Sequence, residues 1–367
     1  MISRRTSLGK HLRMIWAITA KDMMDALKNR TTLSVILISL FVVVAYRYLA
    51  GMMIGGSSLN LLVYDAGETS YWSAFEASHD PEVHGPYPTQ RTMEHDLLKG
   101  FVPELGLVIP EDFDQRVAAG DAVELDGYAM HWVGQSEIVE MVSAAEGFIS
   151  GIVGKPVRIE SEGNTIYAEA EVFGFPMFYS LGLVIGMAMV GISLIPNMMI
   201  EERRAKTIDA LLISPAGTMH VVIGKALTGM FYCLIIVAVG VAFASSLVVE
   251  WWLFVLATLT GALFSVAIGL ILGSVFKERH QLMTWGFFLS FPLLLPLFLS
   301  FMRGLLPEAL LSILQWVPTV ALGKIFRVSF SENAQLSSFG LQLALVVGCT
   351  LFLLAAVVWV MRRSDRR

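Results

Sequence analysis

Long apolar runs without Asp, Glu, Lys or Arg constrain this chain more than any other feature. Five of them follow one another in the carboxyl-terminal half, at Phe173–Ile200, Ala226–Val249, Trp251–Phe276, Leu282–Met302 and Leu341–Met361. About 20 apolar residues allow a helix to cross the hydrocarbon core of a bilayer. The charged fraction is 16%, whereas a soluble domain has about 25%. We therefore predict an α-helical integral membrane protein.

A basic segment and a further apolar run begin the chain. Within residues 1–30, apolar side chains recur at helical spacing among seven basic residues. This pattern predicts an amphipathic helix on the inner membrane surface. The first transmembrane helix is expected at 31–53, which brings the total to about six. A cleaved signal peptide is the rival interpretation, although the charged segment is long for the n-region of such a peptide.

Basic and acidic residues are distributed unequally between the loops on the two predicted sides of the membrane. The 1–30 segment, the 201–225 loop, the 277–279 turn and the 362–367 tail together hold seventeen basic and seven acidic residues. Basic loops stay on the cytoplasmic side of a membrane. Both termini are therefore expected in the cytoplasm, with the protein in the plasma membrane of a bacterium or archaeon.

The long insert at 54–172 predicts a separate domain. It holds five basic and twenty-one acidic residues, so we expect it on the extracytoplasmic side. Four strand-like runs and one short helix predict a small α/β domain. The runs are Leu59–Tyr64, Leu105–Ile109, Val123–Trp132 and Val157–Glu160, and the helix is Glu111–Ala119, closed by Gly120.

Five further transmembrane helices are expected within 173–361, and the segment 303–340 between the last two differs from them. It is apolar but is interrupted by Pro307, Glu308, Pro318 and Lys324. We interpret it as one or two short extracytoplasmic or re-entrant helices. A seventh crossing would place the basic tail, 362–367, outside the cell, against the positive-inside rule.

The sequence lacks the groups that an energy-coupled pump would need. The second to sixth predicted spans contain no ionisable side chain, whereas proton- and sodium-coupled transport generally uses a carboxylate within the membrane. No Walker P-loop occurs, because the residue after Gly224-Lys225 is alanine where the motif requires Ser or Thr. Any energy for transport must then come from a partner.

Catalytic and metal-binding patterns are also missing from the sequence. Cys233 and Cys349 both lie in apolar runs, as small buried hydrophobic residues do. The histidines of the insert do not have the spacing of a metal site; they are His79, His84, His95 and His131. We expect no catalytic residue, no metal site and no cofactor bound by this chain, and nothing indicates nucleic acid as a partner.

The loop at 201–225 has the pattern of a docking element. It begins with Glu201, Glu202, Arg203 and Arg204, and its apolar ridge, Leu211-Leu212-Ile213, is followed by Ser214-Pro215. Proline ends a helix because it lacks the N–H group and clashes with the preceding turn. An apolar ridge flanked by charges suits a groove on another protein. Packing beneath its own helical bundle is the alternative.

In this loop the sequence resembles the permeases of the ABC-2-type exporter family. The matching positions are Glu202, Arg203, Thr207, Ile208, Asp209, Leu211, Leu212, Ser214, Pro215, Gly224 and Lys225. Lys206 departs from the pattern, because the family usually has glycine there. Other similar segments follow the family's order: Lys21-Asp22, Leu107–Phe113, Gly269–Ser274 and Trp316-Val317-Pro318.

The resemblance implies a permease subunit that forms the translocation path and has no chemistry of its own. Two permeases, identical or paralogous, would pair in the bilayer with a dimer of cytoplasmic ABC ATPases, which bind ATP and Mg²⁺. The extracytoplasmic domain resembles that of the drug- and sodium-efflux branch. The ATPase would hold the loop as a coupling helix through Glu201, Glu202, Arg203, Arg204, Thr207, Asp209, Leu211, Leu212, Ser214 and Pro215.

Glycines and prolines within the spans are candidates for helix packing and gating. They are Gly182, Gly186, Pro196, Gly269, Gly273, Pro292 and Pro296. The glycines form two GxxxG faces, which allow backbones to approach closely, either between two permeases or within one chain. The prolines should bend the second and fifth spans.

Two other classes of function stay open. One is an ATP-independent membrane carrier or channel. The other is a membrane-anchored module in which the acidic domain binds a ligand and the spans serve as an anchor. The sequence does not identify a transported substrate.

Overall fold

The structure is a computed structural model that describes residues 2–28, 33–34, 36–38, 40–41, 45, 59–204, 218–300, 306–332 and 334–364. Most of the first predicted transmembrane helix, 31–53, lies outside the described residues, as does the central part of the predicted coupling loop, 205–217.

The amino-terminal segment forms one long helix, α1, over Ile2–Lys28. One face of α1 is buried and includes Ile18, Thr19 and Asp22, whereas Leu12 and Trp16 are exposed. The helix therefore has one face for packing against the protein and a second, partly apolar face that is uncovered. Its place on the membrane surface stays a prediction.

Residues 59–172 form a small α/β domain, as the sequence predicts. Its strands are β1 (Asn60–Asp65), β2 (Glu82–Tyr87), β3 (Leu105–Ile109), β4 (Val123–Met130), β5 (Val157–Glu160) and β6 (Thr165–Ile166). Its helices are α2 (Trp72–Glu76), α3 (Gln90–Leu97), α4 (Phe113–Ala119) and α5 (Gln135–Val153).

The strands form one mixed sheet in the order β2-β1-β3-β4-β5, with β6 beside β4. Only the β3–β4 pair is antiparallel among these pairings. Leu61, Leu105 and Leu107 lie in the domain core because β1 and β3 are central strands. Gly120 ends α4 in a left-handed conformation, with φ of 80°, which glycine adopts without a steric penalty.

The membrane part contains five helices that are long and apolar enough to cross a bilayer, counted over the described residues. The elements are α6 (Phe175–Met189), a π-helical turn (Val190–Leu194), α7 (Ile195–Arg204), α8 (Thr218–Ala244), α9 (Trp251–Val275), α10 (Arg279–Leu299) and, after two short helices, Leu336–Ser364. The prediction of a multi-pass helical membrane protein is confirmed for this part of the chain. The continuous unit from α6 to α7 and helix α9 form the buried centre, while α10 and Leu336–Ser364 lie at the periphery.

The segment between the last two spans forms two short helices, α11 (Glu308–Leu314) and α12 (Pro318–Ser329), which meet at a bend of 91°. Helix α12 packs inside the bundle, where Ile325 and Phe326 are fully buried. The final helix, Leu336–Ser364, is α13. The bent pair has the form expected of a broken span or a re-entrant segment.

Glycines bring the two central units of the bundle into backbone contact. A Cβ atom on Gly191, in the π-helical turn, would lie 2.3 Å from the Ser265 carbonyl oxygen of α9. A Cβ atom on Gly269 would lie 2.7 Å from the Gly191 carbonyl oxygen, and one on Gly273 would meet Met199 of α7. Gly269 and Gly273 therefore serve packing within one chain.

We predict that Gly191→Ala destabilises the bundle, because the added methyl group has no space against the α9 backbone. The free energy of unfolding should fall by about 1–3 kcal/mol, as for other overpacked cores. Thermal unfolding in detergent measures the change. Gly348→Ala in α13 is the matched control, since its Cβ would meet nothing within 4 Å. Equal effects of the two substitutions would contradict the close-contact explanation.

Candidate functional site at the junction of α1, α7 and α8

Three charged side chains meet where α1, α7 and α8 come together. The Lys225 Nζ atom lies 2.6 Å from Glu202 Oε2 and 3.2 Å from Asp22 Oδ2. The side chains of Lys225 and Asp22 are only 3% and 2% exposed. One buried cation is therefore shared by two carboxylates from two different helices. We call Asp22, Glu202 and Lys225 the charge cluster.

Close packing between α1 and α8 places the charge cluster. A Cβ atom on Gly224 would lie 2.7 Å from Ile18 Cγ2, so glycine allows the two helices to approach. The Thr19 hydroxyl donates to the Gly224 carbonyl oxygen at 3.3 Å, and the Tyr232 hydroxyl donates to the Met23 carbonyl oxygen at 2.9 Å. The contacts advance along both helices in the same direction, so α1 runs beside the beginning of α8.

Exposed and half-buried charges surround the charge cluster and extend it to a fourth helix. Lys21 Nζ lies 3.7 Å from both Asp25 Oδ2 and Glu202 Oε1. At the start of α10, Arg279 lies 3.8 Å from Glu201. The end of α7 therefore has ionic contacts with α1, α8 and α10.

Burial controls the ionisation of Asp22. Removal from water raises the pKa of this carboxyl to about 6, with Lys225 lowering it and the nearby Glu202 raising it further. A buried charge is stable only when it is paired. The charge cluster thus depends on all three of its members.

Two residues of the charge cluster, Glu202 and Lys225, flank the segment 205–217. Helix α7 ends at Arg204, two residues after Glu202, and α8 begins at Thr218, about two turns before Lys225. A displacement of 205–217 would therefore act directly on helices that the charge cluster connects to α1.

Comparison with known proteins shows the family. The family described as ABC-2 family transporter protein matches residues 30–359. The chain belongs to this family. Comparisons with curated proteins and with solved structures gave no match. The family predicted from the 201–225 loop is thereby confirmed, and the chain is a membrane subunit of the ABC-2 transporter type. The matched region includes Glu202 and Lys225, whereas Asp22 precedes it.

The structure of this ABC-2 chain describes only some of the predicted coupling residues. Glu202 belongs to the charge cluster, Glu201 is its neighbour, Arg203 is part of α7, and Arg204 is exposed. The remaining predicted coupling residues lie outside the described residues: Thr207, Asp209, Leu211, Leu212, Ser214 and Pro215.

The predicted packing and gating residues lie in helices of the bundle. Gly182 and Gly186 are buried in α6. Pro196 is the second residue of α7, which begins directly after the π-helical turn. Helix α10 continues without interruption through Pro292 and Pro296.

Sequence reasoning missed Asp22 and Lys225 as site residues. Lys225 directly precedes the predicted span Ala226–Val249, and it belongs to the same helix because α8 begins eight residues before that apolar run. A signal for Asp22 was present: it shares one helical face with Ile15 and Ile18, at the spacing of a buried stripe. A carboxylate in an apolar stripe requires a partner.

A cavity of about 390 Å³ lies between the π-helical turn, α7 and α10. Its polar lining includes Ser193, Asn197 and Ser290, and Phe287 contributes an aromatic ring. The Asn197 side-chain amide donates to the Ser193 carbonyl oxygen at 2.8 Å. Within the described chain, no group of three His, Cys, Asp or Glu side chains could hold a metal ion.

We predict that Lys225→Met destabilises the protein strongly, because it leaves the buried carboxylate of Asp22 without its cation and removes the closest cation from Glu202. Removing one partner of a buried ion pair costs about 3–5 kcal/mol of unfolding free energy. Lys21→Met is the matched control, and it should cost less than about 1 kcal/mol because Lys21 is 46% exposed. Chemical unfolding in detergent compares the two, and similar losses would contradict the role assigned to Lys225.

A second prediction concerns pH. The folded-state pKa of Asp22, about 6, exceeds the ordinary value of 3.8. Between these values the folded protein retains a proton that the unfolded chain releases, so the stability contributed at this position falls as pH rises through this window. The unfolding free energy of the wild type relative to Asp22→Asn should decrease between about pH 4 and 6 and stay level above.

Unfolding of both proteins across this pH range provides the measurement. Asp25→Asn, on the exposed side of α1, controls for the loss of one carboxylate from this helix. A difference between wild type and Asp22→Asn that increases with pH would show that the carboxylate is better stabilised when charged.

Proposed function

We propose that this chain is the permease subunit of an ATP-binding cassette exporter, driven by ATP hydrolysis on a separate ATPase dimer. The family supports a transmembrane transporter subunit. The main support for coupling to the ATPase is the charge cluster, which joins α1 to the two helices on either side of 205–217. Both termini and this segment face the cytoplasm in this proposal, and the α/β domain faces the outside of the plasma membrane.

The coupling follows from the connections of α7. The ATPase holds 205–217 and displaces it, and the charge cluster makes α1, α7 and the beginning of α8 move together. Upstream of α7, the π-helical turn at Val190–Leu194 precedes Pro196. Both features weaken the regular helical hydrogen bonding. When the ATPase displaces α7, the angle between α6 and α7 therefore changes at the π-helical turn and Pro196.

The translocation path lies beside the 390 Å³ cavity, between this chain and a second permease, identical or paralogous. The cavity has polar groups from Ser193 and Asn197 within otherwise apolar spans. Next to it, α10 presents an uncovered aromatic face formed by Trp285, Phe287 and Phe288. Such a face suits contact with lipid or with the second permease.

The proposal is tested by co-purification with the ABC ATPase. The double substitution Leu211→Asp/Leu212→Asp should abolish binding, because two carboxylates cannot enter an apolar groove without losing their hydration. Val139→Asp is the matched control. Val139 is an apolar side chain of α5 that is already exposed on the α/β domain, so this substitution should leave binding intact.

The same complexes also report on function. ATPase activity in the reconstituted wild-type complex should respond to the permease and lose this response in the double variant. Retention of the ATPase by Leu211→Asp/Leu212→Asp, or absence of any ATPase from the wild-type preparation, would contradict the proposal. The second outcome would favour an ATP-independent carrier or an anchored binding module.

A further inference from the structure

A second polar pocket, of about 250 Å³, lies among α11, α12 and α13, at the opposite end of the bundle from the charge cluster. Its polar lining is unusual for the membrane part because it combines two cations, one carboxylate and two amides. These groups belong to Glu171, Ser312, Gln315, Lys324, Arg327 and Gln342. The proposed ATPase coupling uses none of them.

The pocket lies at the level where spans leave the hydrocarbon. Glu171 is four residues before the start of α6, in the connection to the α/β domain. Gln342 is six residues after the start of α13, which corresponds to about 9 Å along a helix. The exposed Trp316 at the end of α11 is the type of side chain that marks a headgroup layer. Lipid headgroups therefore have access to this level.

The described lining of the pocket brings two cations, Lys324 and Arg327, close to one carboxylate, Glu171. The Lys324 Nζ atom lies 2.8 Å from Glu171 Oε1. Arg327 is 1% exposed, and its Nε atom donates to the Ala170 carbonyl oxygen at 2.7 Å. This bond holds the guanidinium plane in place beside the pocket. A fixed guanidinium and a nearby ammonium favour a phosphate or carboxylate.

Gln342 adds a requirement for a hydrogen-bond donor. Its side chain is 8% exposed, and its Oε1 atom accepts no hydrogen bond from the described part of the chain. A buried acceptor without a partner costs free energy, which a ligand with an N–H or O–H group recovers. The complementary ligand therefore carries an anion and a donor next to each other.

We propose that this pocket binds the headgroup of a phospholipid whose phosphate carries a hydrogen-bond donor, such as ethanolamine or glycerol. The phosphate lies against Lys324 and Arg327, and the donor lies against Gln342 Oε1 and the Glu171 carboxylate. The acyl chains follow exposed apolar side chains beside the pocket, namely Ile313, Trp316 and Leu341. Binding of this lipid does not depend on the proposed ATPase coupling.

The test is a lipid titration of the purified full chain in detergent, followed by native mass spectrometry. Phosphatidylethanolamine and phosphatidylglycerol should bind more tightly than phosphatidylcholine, which has the same phosphate but no donor. Water-soluble glycerophosphoethanolamine carries the headgroup alone and should bind more weakly than the lipid, because it cannot contact the apolar side chains.

Two variants assign the binding to this pocket. Gln342→Leu should weaken phosphatidylethanolamine binding about tenfold through the lost acceptor and remove the advantage over phosphatidylcholine. Lys324→Gln should weaken the binding of all three lipids. The matched controls are Gln335→Leu, which changes an exposed glutamine directly before α13, and Lys155→Gln, which changes an exposed lysine of the α/β domain. Both should bind like the wild type.

Three results would overturn the proposal. Equal binding of phosphatidylethanolamine and phosphatidylcholine by the wild type, which requires no variant to fold, would exclude the donor requirement. Unchanged lipid binding by both pocket variants would place the lipid elsewhere. Binding of glycerophosphoethanolamine as tight as that of the lipid, with the same sensitivity to Gln342→Leu and Lys324→Gln, would indicate a site for a soluble anion.

Discussion

The ammonium group of Lys225 is shared between Glu202 and Asp22, and the arrangement of one end of the membrane part depends on this sharing. Water is nearly excluded from the site, so separation of any one partner would leave a charge buried without compensation. Helices α1, α7 and α8 are therefore held as one unit, although 205–217 separates two of them in the chain. In the proposed ATP-driven permease, such a unit would carry a displacement of that segment as far as the π-helical turn and the cavity beside it.

The centre of the bundle is held by a different physical effect. Lipid chains are as apolar as the helix surfaces, so hydrophobic burial does little to drive spans together, and close packing of backbones takes its place. Gly191 and Gly269 provide this contact between the π-helical turn and α9. Charged groups then collect at the two ends of the spans, with the charge cluster at one end and the Lys324–Glu171 pair at the other. The apolar middle of the bundle separates them.

Some strands of the α/β domain could be predicted from local sequence patterns, and others could not. Strands β3 and β5 could be predicted because their apolar residues recur in runs bounded by proline, glycine or charge. Strand β2 could not, because it is an exposed edge strand that contains Gly85 and Pro86 and has no alternating apolar side chains. Glu202 was predicted as a residue for the ATPase to hold, and the structure places it against Lys225 of its own chain. Its carboxylate therefore has a structural role even before a partner binds.

The sequence by itself determined that the chain spans a membrane, where five of the spans lie and which family it belongs to. Apolar length and the loop motif are properties of contiguous residues, so no tertiary contact is needed to recognise them. Only the tertiary structure decided which charges meet. Asp22 and Lys225 are 203 residues apart in the chain. Glu171 and Gln342, which line one pocket, are also far apart in sequence. No local sequence pattern pairs them. Their proximity follows from the packing of whole helices, because removal from water makes each buried charge find a partner wherever the fold provides one.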